Sequence, residues 1–167
     1  MTRIHVKALW LILIAVFAGG CDEGLKPAAP VIPTGYMSGL IRFQHWPPPD
    51  SLVDLRIVAF RVFPPMNIPT EVQLGRVAIY PPLGDTTHLP FHVDSTRYGF
   101  ALQAGEYPYV IVAQRYGQNI LADWRVVGQF DLDSILTVPS LVTILENDTT
   151  FNINISVDFS NPPPPPF

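Results

Sequence analysis

An all-β fold, an antiparallel two-sheet β-sandwich of about seven short strands, is what this 167-residue sequence predicts. Three observations point there. Nineteen prolines and eleven glycines recur along most of the chain and interrupt any helical periodicity. Thr150 to Ser160 alternates, with Phe151, Ile153, Ile155, Val157 and Phe159 set against Asn152, Asn154, Ser156 and Asp158, the period of a strand with one face on a core and one in water. Arg97 to Tyr116 reads as two neighbouring strands and the turn joining them: Tyr98, Phe100 and Leu102 alternate with smaller or polar residues, Ala104-Gly105-Glu106 turns, and the run from Tyr107 to Tyr116 is apolar on both faces, as a central strand is.

The elements follow in order. Arg3 and Lys7 form a positive n-region, Ala8 to Phe17 an apolar h-region shorter than the roughly 20 residues that span a bilayer, and Ala18-Gly19-Gly20 a small-residue cleavage site, so residues 1–20 read as a signal peptide. Ala18-Gly19-Gly20-Cys21 resembles the lipobox of bacterial lipoproteins. That resemblance implies cleavage before Cys21, a thioether-linked diacylglycerol on its sulfur and an acyl chain such as palmitate on the new amino group. Two or three acyl chains hold a protein on a membrane far more firmly than one does. Cys21 is the sole cysteine, so no disulfide is available and stability has to come from the core. Asp22 and Glu23 resemble an inner-membrane retention signal in some bacteria and a surface-export signal in others, which leaves either membrane open and favours the outer one for this envelope protein.

Residues 21–35, with Pro27, Pro30 and Pro33, form a tether, and residues 36–160 the domain. Tyr36 to Gln44 is a first strand with Ile41 and Phe43 on one side and Arg42 and Gln44 on the other. Ser51 to Phe63 is a second whose polar phase shifts between Arg56 and Arg61, so it is either buried on both faces or bulged near Val58 to Phe60. Leu74 to Tyr80 is a shorter strand closed by Pro81-Pro82, and Leu83 to Ser95 is loop. Leu121 to Phe130 is a strand carrying Trp124, Asp131 to Leu136 one helical turn, Leu141 to Leu145 an apolar strand, and Glu146-Asn147-Asp148 a turn. The tail, residues 161–167, should adopt polyproline II up to Phe167.

Gly39-Leu40-Ile41-Arg42-Phe43, then Phe100-Ala101-Leu102-Gln103-Ala104-Gly105-Glu106-Tyr107, then Val110-Ile111-Val112-Ala113 resemble the carboxypeptidase regulatory-like, transthyretin-like domains. The resemblance implies a small β-sandwich of the immunoglobulin-like kind, borne on bacterial envelope proteins and serving as a structural or binding module without catalysis.

The chemistry-bearing residues agree with that expectation. His88 and His92 would converge on a metal ion only in a helix, which Pro90 opposes; on a strand they lie roughly 13 Å apart at 3.3 Å per residue. Asp131 and Asp133 have neither EF-hand spacing nor a second acidic cluster, so they read as turn or cap residues. Ser38 lacks a nucleophile elbow, and no phosphate-binding glycine loop occurs. The net charge of −4, which becomes −6 once Arg3 and Lys7 leave with the leader, and the absence of a basic cluster exclude nucleic acid.

The expected function is therefore a lipid-anchored, non-catalytic binding or structural module of the cell envelope, with a protein partner and with neither cofactor nor metal. A carbohydrate-binding lipoprotein using exposed aromatics is the alternative. Trp124, inside an apolar run, is expected in the core, whereas Trp46, between His45 and three prolines, is expected on a loop as a contact residue. The proline tail with Phe167 is either a strand terminator or a ligand for an aromatic groove on a partner.

Overall fold

The computed structural model describes residues 31–133 and 137–165. The leader, Cys21, most of the tether and Phe167 lie outside the described residues. The chain divides into two units, Met1–Val31 and Ile32–Phe167, and the described residues fall almost wholly in the second.

The fold is all-β. Among the described residues ten strands form: β1 (Thr34–Gln44), β2 (Asp54–Phe60), β3 (Val77–Tyr80), β4 (Ser95–Gln103), β5 (Gly105–Tyr107), β6 (Tyr109–Arg115), β7 (Trp124–Gln129), β8 (Val142–Ile144), β9 (Thr149–Thr150) and β10 (Ile155–Asp158), with one short α-helix, α1 (Ile68–Gln73), and a 3-10 turn at Pro49–Ser51. An eight-stranded sheet runs β3-β2-β6-β7-β10-β1-β4 with β9 also paired to β1, and β5 and β8 make a separate two-stranded ribbon.

This corrects the antiparallel two-sheet expectation in two respects. The large sheet is mixed, because β1 pairs antiparallel with β4 but parallel with both β9 and β10. Parallel partners need a long crossover between them, and here nearly the whole domain is that crossover. The sheet also curls rather than splitting into two equal layers. Its edge strands approach each other, and Tyr80 of β3 stacks on Phe100 of β4 with ring centroids 4.9 Å apart.

The expected hairpin is likewise overturned. β4 pairs with β1, whereas β6 lies between β2 and β7, so the two strands stand on different parts of the curled sheet. The segment between them crosses the end of the core as β5 and pairs there with β8. Gly105 takes a φ of +134°, and the Arg61 guanidinium occupies the space a Cβ would need. Arg61 Nη2 donates to the Ala104 carbonyl and the Tyr107 hydroxyl, and Tyr107 in turn donates to the carbonyl of Gln103, the tyrosine-corner arrangement of β-sandwiches. The residues that read as a turn are a clamped corner.

Inward side chains from both parts of the sheet make one core, including Met37, Ile41, Ile57, Val112, Val127 and Ile155, all essentially inaccessible to water. Each such side chain contributes about 1.5–3 kcal/mol relative to leaving it exposed. β2 is buried on both faces and keeps a regular register with β3 and β6, which decides between the two readings of its polar phase. The bulge lies instead between β6 and β7, at Val112/Ala113. Leu74 to Tyr80 is not one strand: α1 ends at Gln73 and β3 begins at Val77. The local signal for that helix is Asn67, whose side chain accepts from the Thr70 N–H at 2.9 Å, followed by a proline in the first turn.

The C-terminal alternation holds from Ile153 to Phe159, but Phe151 faces solvent because Asn152 adopts a φ of +63° and breaks the strand into β9 and β10. At the break the Ile153 carbonyl turns away from the ladder and accepts from the buried Tyr98 hydroxyl at 2.5 Å, while the Leu40 N–H is taken by the Asn154 side chain at 2.9 Å. Gly39 allows this, since a Cβ there would collide with the Ile153 carbonyl. Gly39→Ala is therefore expected to destabilise the fold by roughly 3 kcal/mol in urea unfolding. Gly75→Ala, at φ +64° with open space around it, should cost only about 1 kcal/mol. Equal midpoints for the two variants would contradict this account.

Candidate functional site

The outer wall of β3, β2, β6 and β7 is apolar where a sandwich surface is ordinarily polar. Val58, Phe60, Tyr109, Ile111 and Ala113 are buried there, with Ile68, Val77, Ile79, Trp124 and Val126 packed around them. The cause is in the sequence, because β2 and β6 carry large apolar side chains on both faces while the core covers only one.

Two devices cover part of the wall. α1 lies over it through Ile68 and is held by Glu71, a fully buried carboxylate that accepts from Arg76 Nε at 2.8 Å and Nη2 at 3.0 Å and from the Met66 N–H at 3.2 Å. Arg56, buried on the same face, is paired with Asp54 at 2.8 Å and donates to the carbonyls of Pro81, Pro82 and Asp85, so it straps down the loop after β3. A diproline has two acceptors and no N–H to answer them, and a guanidinium is well shaped to do so.

Between α1, that loop and the β6–β7 connection a cleft of about 180 Å³ stays open. Val58, Ile79 and Ala113 line it, with Val72, Leu83, Ile120, Leu121 and Trp124. Its rim is apolar and wet, with Ile120 55% and Leu121 67% exposed. The Trp124 indole N–H donates to the Ile120 carbonyl at 2.7 Å, which fixes the ring beside the cleft. The volume falls below the roughly 300 Å³ of small enclosed-ligand sites, and suits insertion of side chains from a peptide or protein.

Trp124 departs from its expected place in the core, whereas Trp46 lies on a loop as expected. Trp124 is half-buried on the outer wall, because it belongs to the outward face of β7, opposite the core. Trp46 is also half-buried, but it packs on Phe43 and Phe159 with centroids 4.7 Å away and on His92 at 5.3 Å, and its N–H donates to the Val93 carbonyl. It closes one end of the core.

The remaining candidates are dispersed. His88 stacks on Phe91 and bonds the Leu89 carbonyl, whereas His92 lies against Trp46. Asp131 accepts from Ser140 and from the Asp133 N–H, a turn role. Ser38 sits within β1, its carbonyl accepting from the Ile153 N–H. A polar basin of about 410 Å³ lies over β1, β10 and β7, lined by Arg42, Gln44, Gln129, Asn154 and Ser156 with three aspartates.

One constellation went unread in the sequence. His45, at the end of β1, meets Asp158 and Ser160 beyond β10: Nδ1 lies 2.8 Å from Asp158 Oδ1 and 3.2 Å from Ser160 Oγ, which donates to the same carboxylate oxygen at 2.7 Å. A hydrolytic relay needs the serine on one ring nitrogen and the carboxylate on the other. Here both use Nδ1, so the cluster is an exposed staple joining the ends of two parallel strands. The Ser160 hydroxyl and then the His45 ring pull the Asp158 carboxyl down to about 2.

Comparison with known protein families and with curated proteins finds no match. Among solved structures the chain is similar to a leucine-rich repeat protein from Bacteroides thetaiotaomicron VPI-5482, with a TM-score of 0.36 and 13% identity, over 78% of this chain and 14% of that one. The match thus spans a small part of that protein, and at such a likeness nothing about fold or function transfers.

A depressed carboxyl contributes stability that is present above its ordinary value near pH 4 and is lost as the pH falls through about 2. In Ser160→Ala the Asp158 midpoint, followed by carboxyl NMR titration, should rise towards the ordinary value, with a smaller rise in His45→Ala. An unchanged midpoint in both variants would show that the staple does not form.

Proposed function

We propose that this chain is a lipid-anchored, non-catalytic binding module of the bacterial cell envelope that engages a protein partner through the outer wall beside Trp124. The observation that carries the reading is the open apolar cleft with its exposed rim of Ile120, Leu121 and Leu83, since exposed contiguous apolar surface on a folded domain marks a docking place. The anchor is supported by the Ala18-Gly19-Gly20-Cys21 signal and by the prolines of the tether, which would lift the domain off the lipid. The location proposed with it is the outer membrane, on its periplasmic or surface face, with the inner membrane as the alternative. A binding role is also supported by the contrast between the cleft, which is built for contact, and the His45–Asp158–Ser160 cluster, whose geometry does not relay a proton.

In cells fed labelled palmitate, Cys21→Ala should lose all label and leave the membrane fraction. A photocrosslinker at Leu121 should give one discrete envelope-protein adduct, absent when the crosslinker sits at Arg97 on β4. Retention on glycan arrays that disappears with Trp46→Ala, without any such adduct, would replace this reading by a carbohydrate-binding one.

A further inference from the structure

The open cleft is one end of a longer track. Trp124 and Ile68 also line a second depression, with Val126, Pro162, Pro163 and Pro165 on its other side. Pro165 with Pro164 then borders a third, against Phe63, Pro64 and Tyr109. The proline tail thus runs over the outer wall from Trp124 to Tyr109. Of its described prolines only Pro163 is half-buried, while Pro162, Pro164 and Pro165 are exposed, so little surface of these residues holds the tail in place.

Tyr109 supplies the second observation. Its side chain is 1% exposed, and its hydroxyl, buried under this stretch of wall, has no hydrogen-bond partner among the described residues. A buried donor left unpaired is destabilising, and such groups in native structures call for a partner. Burial also raises the hydroxyl's pKa, so it stays a donor. A run of prolines presents the complementary chemistry, since it has carbonyl acceptors, no N–H groups to satisfy them, and a preformed polyproline II shape that loses little entropy on docking.

We propose that the track Trp124–Ile68–Tyr109–Phe63 is a recognition groove for a proline-rich segment in polyproline II, and that the chain's own tail is a displaceable resident of it. The proposal deepens the reading of the domain as a binding module: the partner is one that offers a proline-rich segment, and it binds by displacing residues 162–165. Aromatic and apolar faces take the pyrrolidine rings, and the Tyr109 hydroxyl, which the resident tail leaves without a partner among the described residues, is available to a carbonyl of the incoming segment.

The test uses the purified chain with Pro162 to Pro166 replaced by serine, its folding checked by circular dichroism, and a synthetic peptide of this chain's own tail, residues 160–167. The peptide should bind saturably with a change in tryptophan fluorescence, and at least about tenfold more weakly to the unaltered chain, where the tethered tail competes at high effective concentration. Tyr109→Phe in the serine background should weaken peptide binding about fivefold, the worth of one hydrogen bond, and leave stability equal or higher, because it removes an unpaired donor. Three results would overturn the proposal: no saturable binding, equal binding of a peptide with alanine at every proline, or an affinity untouched by Tyr109→Phe. A missing crosslink at Leu121 in cells would count against the envelope partner while leaving the peptide result intact.

Discussion

The architecture depends on β1 being held on both sides at once. β4 joins the large sheet through β1 alone, and β10 with β9 occupies the other side of the same strand. The fit is local and steric: Gly39 lets the Ile153 backbone press in, Tyr98 takes the carbonyl that the broken ladder leaves over, and Asn154 takes the spare Leu40 N–H. The Ile153 carbonyl and the Leu40 N–H thus both keep a partner at the place where β9 gives way to β10. With that junction made, the sheet can curl until Tyr80 meets Phe100, and the core closes without a disulfide.

A second constraint follows from the composition of β2 and β6. Strands apolar on both faces need cover on both, and a domain of this length has one core. The chain meets the outer demand piecemeal, with a short helix pinned by the Glu71–Arg76 pair, a proline loop strapped by Arg56, and a run of prolines laid over Trp124 and Tyr109. What these pieces leave open is the cleft. The cleft is thus the remainder of a packing problem, which explains its apolar floor and its shallow volume.

Polar chemistry in the domain serves to fasten. Arg61 holds the corner at Gly105, Arg56 the diproline loop, and His45 with Ser160 and Asp158 the ends of β1 and β10. In each case the charged or ionisable group is turned towards backbone carbonyls or a neighbouring carboxylate across a strand end.

Strand character, the two-faced burial of β6, the proline stops and the turn at Asn147 were all legible in the sequence, because alternation and turn chemistry are local properties that a side chain's immediate neighbours enforce. No helix was expected over α1, although Asn67 and the proline in the first turn are its local signal, and a strand was expected where α1 gives way to β3. Strand partners were not. The two faces of a strand are written in its own period, but its neighbours are chosen by how the sheet closes, so β4 and β6, adjacent in sequence, part to different places while β1 and β10, at opposite ends, pair in parallel. The same closure decided that Trp46 plugs the core and Trp124 borders the cleft, and that His45 meets Asp158. Those outcomes depend on contacts between distant residues, and only the folded sheet brings them together.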